Sequence, residues 1–310
     1  MDLVVNIATS GRPDLLKRTL ESLSACPLPP NYRETVVVEN GPRNSADAVV
    51  SAAPPDLRAR HMYVSTGNKS AALNAALSTF GDCLVFLTDD DVKFAPAALC
   101  AYAKAADCAG RGHFFGGPTN ADYDVPPPSW LLEYLPHSAK GWESSGSSDM
   151  SGPDSGQMRY LGFNWAAFAA DLREAGGFNP NFGPGSPTGS TGQETEMQVR
   201  LVKKGLKTIY VPDARVWHYV PANRCSPQWV LSRSYRHGLQ EGLMSPRQHA
   251  GFWIFPPWWA ARNYLKSIAR DWRWSLTRLP EKRFNAKNRR SFDCGLMIGL
   301  ARNTAKRGVT

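Results

Sequence analysis

The sequence predicts an α/β fold: a mostly parallel central sheet flanked by helices, followed by a helical, aromatic and basic C-terminal extension. Three observations predict it. Short β-rich runs alternate with helical periodicity through about residue 220. The run Leu84–Leu87 is wholly apolar, as a strand covered on both faces must be, and it ends in three aspartates. Beyond residue 226 the pattern turns helical, with tryptophans set among arginines and lysines. A length of 310 residues accommodates two domains at about 150 residues each, and the change in pattern places them at 1–225 and 226–310.

Each element has a local cause. Leu3–Ala8 is a β-rich run, and Thr9–Pro13 turns the chain. Pro13 and Asp14 open a helix striped by Leu15, Leu16, Leu20 and Leu23, which Pro27, Pro29 and Pro30 end. Thr35–Val38 is a second strand, broken by Asn40-Gly41-Pro42, and His61–Val64 a third. Ala71–Phe80 and Pro96–Ala109 read as helices on either side of strand Leu84–Leu87. Residues 117–157 are rich in Pro, Ser, Gly and aromatics and show no period; Asn179–Gly192 is a glycine-rich loop. Helix Glu194–Lys204 and strands Thr208–Val211 and Ala214–His218 complete the first part.

Charge divides the chain as pattern does. The whole carries +9, yet Leu231–Thr310 holds 16 Lys/Arg against 4 Asp/Glu, a net of +12, and the remainder is close to neutral. A polyanionic partner is therefore to be sought at the tail. Trp253, Trp258, Trp259, Trp272 and Trp274 stand there beside Arg262, Lys266, Arg270 and Arg273. This suits either an anionic membrane surface or a helical subdomain with a solvated basic face. No nucleic-acid motif accompanies the charge, so nucleic acid is not expected as a partner. The longest uncharged run, 248–261, is too short to span a bilayer and Pro256-Pro257 interrupts it. No leader peptide is evident, and the six cysteines form no C-x-x-C pair. Together these features point to a cytoplasmic protein with free thiols, peripheral on the inner face of the membrane if it touches one.

The chemistry-bearing residues are few. Asp89-Asp90-Asp91 at a strand's C-terminal end repel one another, and a hard divalent cation, Mg²⁺ or Mn²⁺, relieves that repulsion. A helix N-cap is the alternative, but a single Asp would serve for that. Glu39, at the tip of the second strand, is either a nucleotide contact or a solvated loop acid. Lys69 opens a helix without a phosphate-loop motif and can still meet a phosphate. Glu194 follows the glycine-rich loop and is either a general base or a first-turn acid favoured by the helix dipole. His218 is either a hydrogen-bonded core residue or an imidazole ligand to a metal.

In order, VVNIATSGRPDLLKRTLESL, VVVENG, NKSAALNAAL, LVFLTDDDVKFAP, GFNWAAF, AGGFNPNF, GQETEMQVRLVKKG and VWHYV cover about residues 1–220. This ordered set resembles the family-2 glycosyltransferases, whose GT-A fold is a Rossmann-like parallel sheet. The resemblance implies an inverting, metal-dependent transfer of a sugar from a nucleotide-diphosphate sugar, a UDP-sugar favoured over a GDP-sugar, to a glycan or lipid-linked acceptor in cell-surface polysaccharide synthesis. It assigns Thr9 and Arg12 to the nucleotide-side loop and Glu39 to the base. Asp89 or Asp90 becomes the ribose contact, Asp91 and His218 the ligands of Mn²⁺ or Mg²⁺, and Glu194 the catalytic base. Gln193 stands where the family has a first acid. The resemblance also implies that loop 180–192 closes over the donor. Two competing readings are a nucleotidyltransferase acting on sugar phosphates, which would need a richer phosphate loop than TSGRPDLL, and a degenerate nucleotide-binding protein, which the intact Asp triplet argues against.

Overall fold

The computed structural model describes residues 1–43, 46–144, 159–245, 256–277 and 279–305. In chain order the strands and helices are β1 (Asp2–Thr9), α1 (Pro13–Ser24), β2 (Tyr32–Asn40), α2 (Ala46–Ser51), β3 (Ala59–Val64), α3 (Lys69–Leu77), β4 (Cys83–Asp89), β5 (Val92–Phe94), α4 (Ala98–Ala109), β6 (His113–Gly116) and β7 (Thr119–Tyr123). Then come α5 (Ser129–Leu132), α6 (His137–Lys140), β8 (Trp165–Phe168), α7 (Ala169–Glu174), α8 (Gln193–Lys203), β9 (Lys207–Tyr210), β10 (Val216–Val220), α9 (Pro227–Met244), α10 (Trp258–Ser275) and α11 (Pro280–Ala305). Trp253 lies outside the described residues, as does most of the run 248–261 and the stretch 145–158.

The chain forms two compact units. One comprises Met1–Asp122, His137–Pro187 and Gly192–Val220; the other comprises Tyr123–Pro136, Thr188–Thr191 and the part from Pro221 onward.

The first unit is built on a seven-stranded sheet in the order β3-β2-β1-β4-β8-β6-β9. Its strands β3, β2, β1 and β4 run parallel, and β8 is antiparallel to both β4 and β6. The side-chain period of two sends alternate residues to opposite faces. Leu3, Val5 and Ile7 of β1, with Leu84 and Phe86 of β4, pack on Leu16, Leu20 and Leu23 of α1 and Leu99 and Tyr102 of α4. Val4, Ala8, Val85 and Leu87 point the other way, onto Ala72, Leu73 and Ala76 of α3, Leu172 of α7 and Met197 and Leu201 of α8. Both faces being covered is why these strands read as continuous apolar runs. A second sheet has the order β5-β10-β7, with His218 of β10 opposite Val92 of β5.

In the second unit α9 and α11 pack with their backbones nearly touching. A Cβ on Gly238 would lie 2.1 Å from the Phe292 carbonyl oxygen, and one on Gly295 would lie 2.0 Å from that of Tyr235. α10 packs on α11, where Asp271 takes the Arg290 guanidinium at 2.6 Å. No described helix is long and apolar enough to cross a membrane. All six cysteines are free; Cys26 and Cys83 are buried, as expected of structural thiols, whereas Cys108 is exposed.

Candidate active site

The site forms within the first unit, at the C-terminal ends of β1, β2 and β4. The chain runs outward from β1 through β2 to β3 and returns to β4 on the other side of β1. The crevice beyond such a reversal is where open α/β sheets take ligands. Register sets Thr9 beside Glu39 and Ala8 beside Asp89.

The aspartate triplet divides its work. Asp90 is wholly buried, 0% exposed. It accepts hydrogen bonds from Thr9 Oγ1 at 2.6 Å and Arg12 Nε at 3.2 Å, and Arg12 Nη2 donates to its second oxygen. Arg12 Nη1 reaches Asp91 Oδ2 at 2.6 Å. Burial lifts the Asp90 carboxyl to about 6; Arg12 opposes the rise, and Asp91, the Thr9 hydrogen bond and Asp89 add smaller effects of either sign. Burial also works against the Arg12 charge, but Asp91, then Asp90 and Asp89, outweigh it and hold the guanidinium above its ordinary value. Arg12 is placed for this by Thr9 ending β1 and Pro13 beginning α1.

Asp91 meets His218 on its other oxygen: Nε2 lies 3.4 Å from Oδ1. The two are 127 positions apart, and the β5–β10 pairing brings them together, with Tyr219 N donating to the Asp91 carbonyl at 2.8 Å. The His218 ring stacks on Phe163, centroids 4.3 Å apart at 14°.

Lys69 begins α3 after Asn68, whose side chain caps the helix by accepting from Ala71 N. Its ammonium pairs with Asp89. Burial disfavours that charge, but Asp89 first, then Glu194 and Asp91, raise the Lys69 pKa above its ordinary value. Glu194 thus stands in the same electrostatic neighbourhood, one residue into α8. Gly162 makes room for it: a Cβ there would lie 2.9 Å from Glu194 Cδ. Glu39 is buried and meets His61 Nε2 at 3.1 Å.

All nine sequence-predicted site residues lie at this end of the sheet. Thr9, Arg12, Asp90, Asp91 and His218 form one bonded cluster, Lys69, Asp89 and Glu194 a charged group beside it, and Glu39 pairs apart with His61. Sequence reasoning missed His61, Gly162 and Phe163. The last two stand in GFNWAAF, a run noticed as a pattern without roles. Its Asn164 is a buried strut, donating to the Pro118 and Ala214 carbonyls at 3.0 and 2.9 Å.

The first half of the glycine-rich loop is tied to the start of α3: Lys69 N donates to the Pro184 carbonyl at 3.1 Å, Asn68 Nδ2 to those of Pro180 and Gly185 at 2.9 and 3.2 Å, and Ser70 Oγ to that of Phe182 at 2.9 Å. Gly185, at φ +76°, approaches so closely that a Cβ would lie 1.7 Å from the Gly67 oxygen. These bonds fix the first half of the loop, residues 180–185, against the residues that carry Lys69.

Residues 2–237 match the family described as glycosyltransferase like family 2. The chain belongs to this glycosyltransferase family. The transferase is 29% identical over 255 residues to the succinoglycan biosynthesis protein ExoM of Rhizobium meliloti (strain 1021), covering 79% of this chain and 76% of ExoM. Among solved structures it resembles the mannosyltransferase PcManGT from Pyrobaculum calidifontis in complex with GDP-Man and Mn²⁺, with a TM-score of 0.57 at 17% identity over 98% of this chain and 87% of that one. S. aureus TarS 1–349 in complex with UDP-GlcNAc gives 0.53 at 14% identity over 92% and 79%. At such identities the likeness establishes the fold, which is GT-A.

Proposed function

We propose that this family-2 enzyme is an inverting, divalent-cation-dependent glycosyltransferase. It moves a sugar, a hexose in the simplest case, from a nucleotide-diphosphate sugar to a hydroxyl of a glycan or lipid-linked acceptor in cell-surface polysaccharide assembly. The observation that carries the reading is the convergence of Asp89, Asp91, Glu194, Lys69 and His218 beyond the C-terminal ends of β1 and β4. The succinoglycan-linked relative and the nucleotide sugars and Mn²⁺ in the similar structures support it. A UDP-sugar is the favoured donor.

The donor set fits a divalent cation. Asp91 Oδ1 and His218 Nε2 are 3.4 Å apart, a carboxylate oxygen and an imidazole nitrogen that one Mn²⁺ or Mg²⁺ could span. Among the described residues no group of three His, Cys, Asp or Glu could hold a metal unaided. The remaining ligands would therefore come from the donor's diphosphate and water, as is usual for these ions at nucleotide sites. Bound there, the ion would neutralise charge on the departing nucleoside diphosphate.

The chain's own residues supply the rest. Lys69 sets a second positive charge beside Asp89 for the phosphates. Asp89 accepts from the ribose, and Glu39 from the ring N–H of the base, at the strand tips where those groups arrive. Asp90 holds Arg12 against the site. Glu194 takes the proton of the acceptor hydroxyl as its oxygen attacks the anomeric carbon, and the single displacement inverts configuration. Attachment to the inner face of the membrane belongs to the same reading, with the aromatic, basic region 226–310 as the contact.

The test is a panel of UDP- and GDP-sugars assayed for donor hydrolysis and transfer with Mn²⁺, with Mg²⁺ and with EDTA. Turnover of at least one donor that EDTA abolishes supports the proposal. Full turnover by verified metal-free protein would overturn its metal dependence.

A further inference from the structure

The inward arc of α10 packs on α11 through Ala260, Ser267 and Asp271, all buried. Its outward arc does not resemble the outside of an ordinary helix. Trp258, Leu265, Ile268, Trp272 and, at the helix end, Leu276 are 76, 58, 38, 68 and 71% exposed. At about 100° per residue, these five lie within roughly 80° of the circumference. Immediately to one side stand Arg262, Arg273, Lys266 and Arg270, all exposed. The sole acid of α10, Asp271, faces inward and is neutralised by Arg290.

The helix therefore has three parallel stripes: one buried, one apolar and exposed, one basic and exposed. Among the described residues the fold uses only the first. An exposed stripe of two tryptophans and three aliphatic residues marks an interaction surface. The flanking charge selects its occupant. A second copy packed antiparallel on this helix would bring a basic stripe against a basic stripe, and a parallel copy would leave the basic stripes without an opposite charge, whereas an anionic lipid surface supplies one. It also offers a headgroup zone for the indole rings and acyl chains for the aliphatics.

We propose that α10 is an interfacial helix that lies in the plane of an anionic phospholipid bilayer, Trp258, Leu265, Ile268, Trp272 and Leu276 entering it and Arg262, Lys266, Arg270 and Arg273 meeting the headgroups. The inference rests on the membrane-attachment part of the proposed function and not on the transfer chemistry, so either can fail without the other. It narrows the contact from an 85-residue tail to one face of one helix.

The full chain is to be co-sedimented with vesicles of phosphatidylcholine alone and of phosphatidylcholine mixed with phosphatidylglycerol, at low and high salt. Binding to the anionic vesicles that weakens with salt is expected, with a blue shift of tryptophan emission. Changing Arg262, Lys266, Arg270 and Arg273 together to Gln should lower partitioning by more than a hundredfold, since each basic residue near such a surface contributes about fivefold. Trp258→Ser with Trp272→Ser should lower it at least tenfold. Because these positions are exposed, both variants should keep the wild-type melting temperature, and donor hydrolysis should be unchanged. Negligible binding in every condition would overturn the proposal. So would binding that both variants retain, or sedimentation showing that the tryptophan face is buried in a dimer.

Discussion

Removing the Arg12 guanidinium tests how the aspartate triplet is held. In Arg12→Ala, Asp90 keeps its place at 0% exposure and Asp91 at 5%, but both lose their cationic partner. Breaking a buried ion pair from one side costs about 3–5 kcal/mol. Arg12 is itself 34% exposed, so water partly replaces it and about 2–4 kcal/mol is the better expectation. For a unit of this size that corresponds to a fall in melting temperature of roughly 5–12 °C. The loss should depend on pH in a set direction. Asp90 is already lifted to about 6, and without Arg12 it rises further. A carboxyl whose folded pKa is raised binds its proton more readily folded than unfolded. The stability deficit is therefore fully present above the folded pKa and shrinks as pH falls through it. Asp90→Asn on the Arg12→Ala background removes the stranded charge and should recover much of the loss. The assay is thermal melting of the four proteins of the cycle at pH 5 and pH 8. An Arg12→Ala protein melting within about a degree of wild type at pH 8 would show that the buried aspartates do not depend on Arg12.

Three further outcomes follow from the geometry. Asp91→Asn should abolish turnover supported by Mn²⁺ or Mg²⁺ and weaken nucleotide binding, read by titrating metal into EDTA-treated protein. Gly162→Val should push on the Glu194 carboxylate, which a Cβ already meets at 2.9 Å, and lower kcat by about 10² with the donor Kd little changed, since positioning errors of about 1 Å carry costs of that order. Gly295→Leu should force α9 and α11 apart, costing about 1–3 kcal/mol or more by overpacking, with circular dichroism melting as the check.

The strands that sequence displays best are those with two buried faces. β1, β2 and β4 are continuous apolar runs for that reason, and the carboxylates at their tips follow from the strand ends. β5, β6 and β8 were not legible as strands, because each is only three or four residues long and owes its conformation to partners elsewhere in the chain. The same limit hides the Asp91–His218 meeting, which depends on an antiparallel pairing across more than a hundred residues. It hides the Glu39–His61 pair as well, since adjacent parallel strands carry no local mark of their register. Composition shows the tryptophans and arginines of α10, but only the presence of α11 on one side separates its buried arc from its exposed one. The glycine-rich loop shows a different gap: its composition suggests freedom, while Asn68, Lys69 and Ser70 bind its backbone.

Glu194→Gln separates general-base catalysis by Glu194 from donor binding in the proposed sugar transfer. The change preserves shape and removes basicity. Donor affinity, by calorimetry in the presence of Mn²⁺, should stay within a few-fold of wild type, while single-turnover transfer falls by about 10²–10⁴. Transfer at a near-wild-type rate with donor binding intact would show that Glu194 is not the base and turn attention to another carboxylate, Glu196 first.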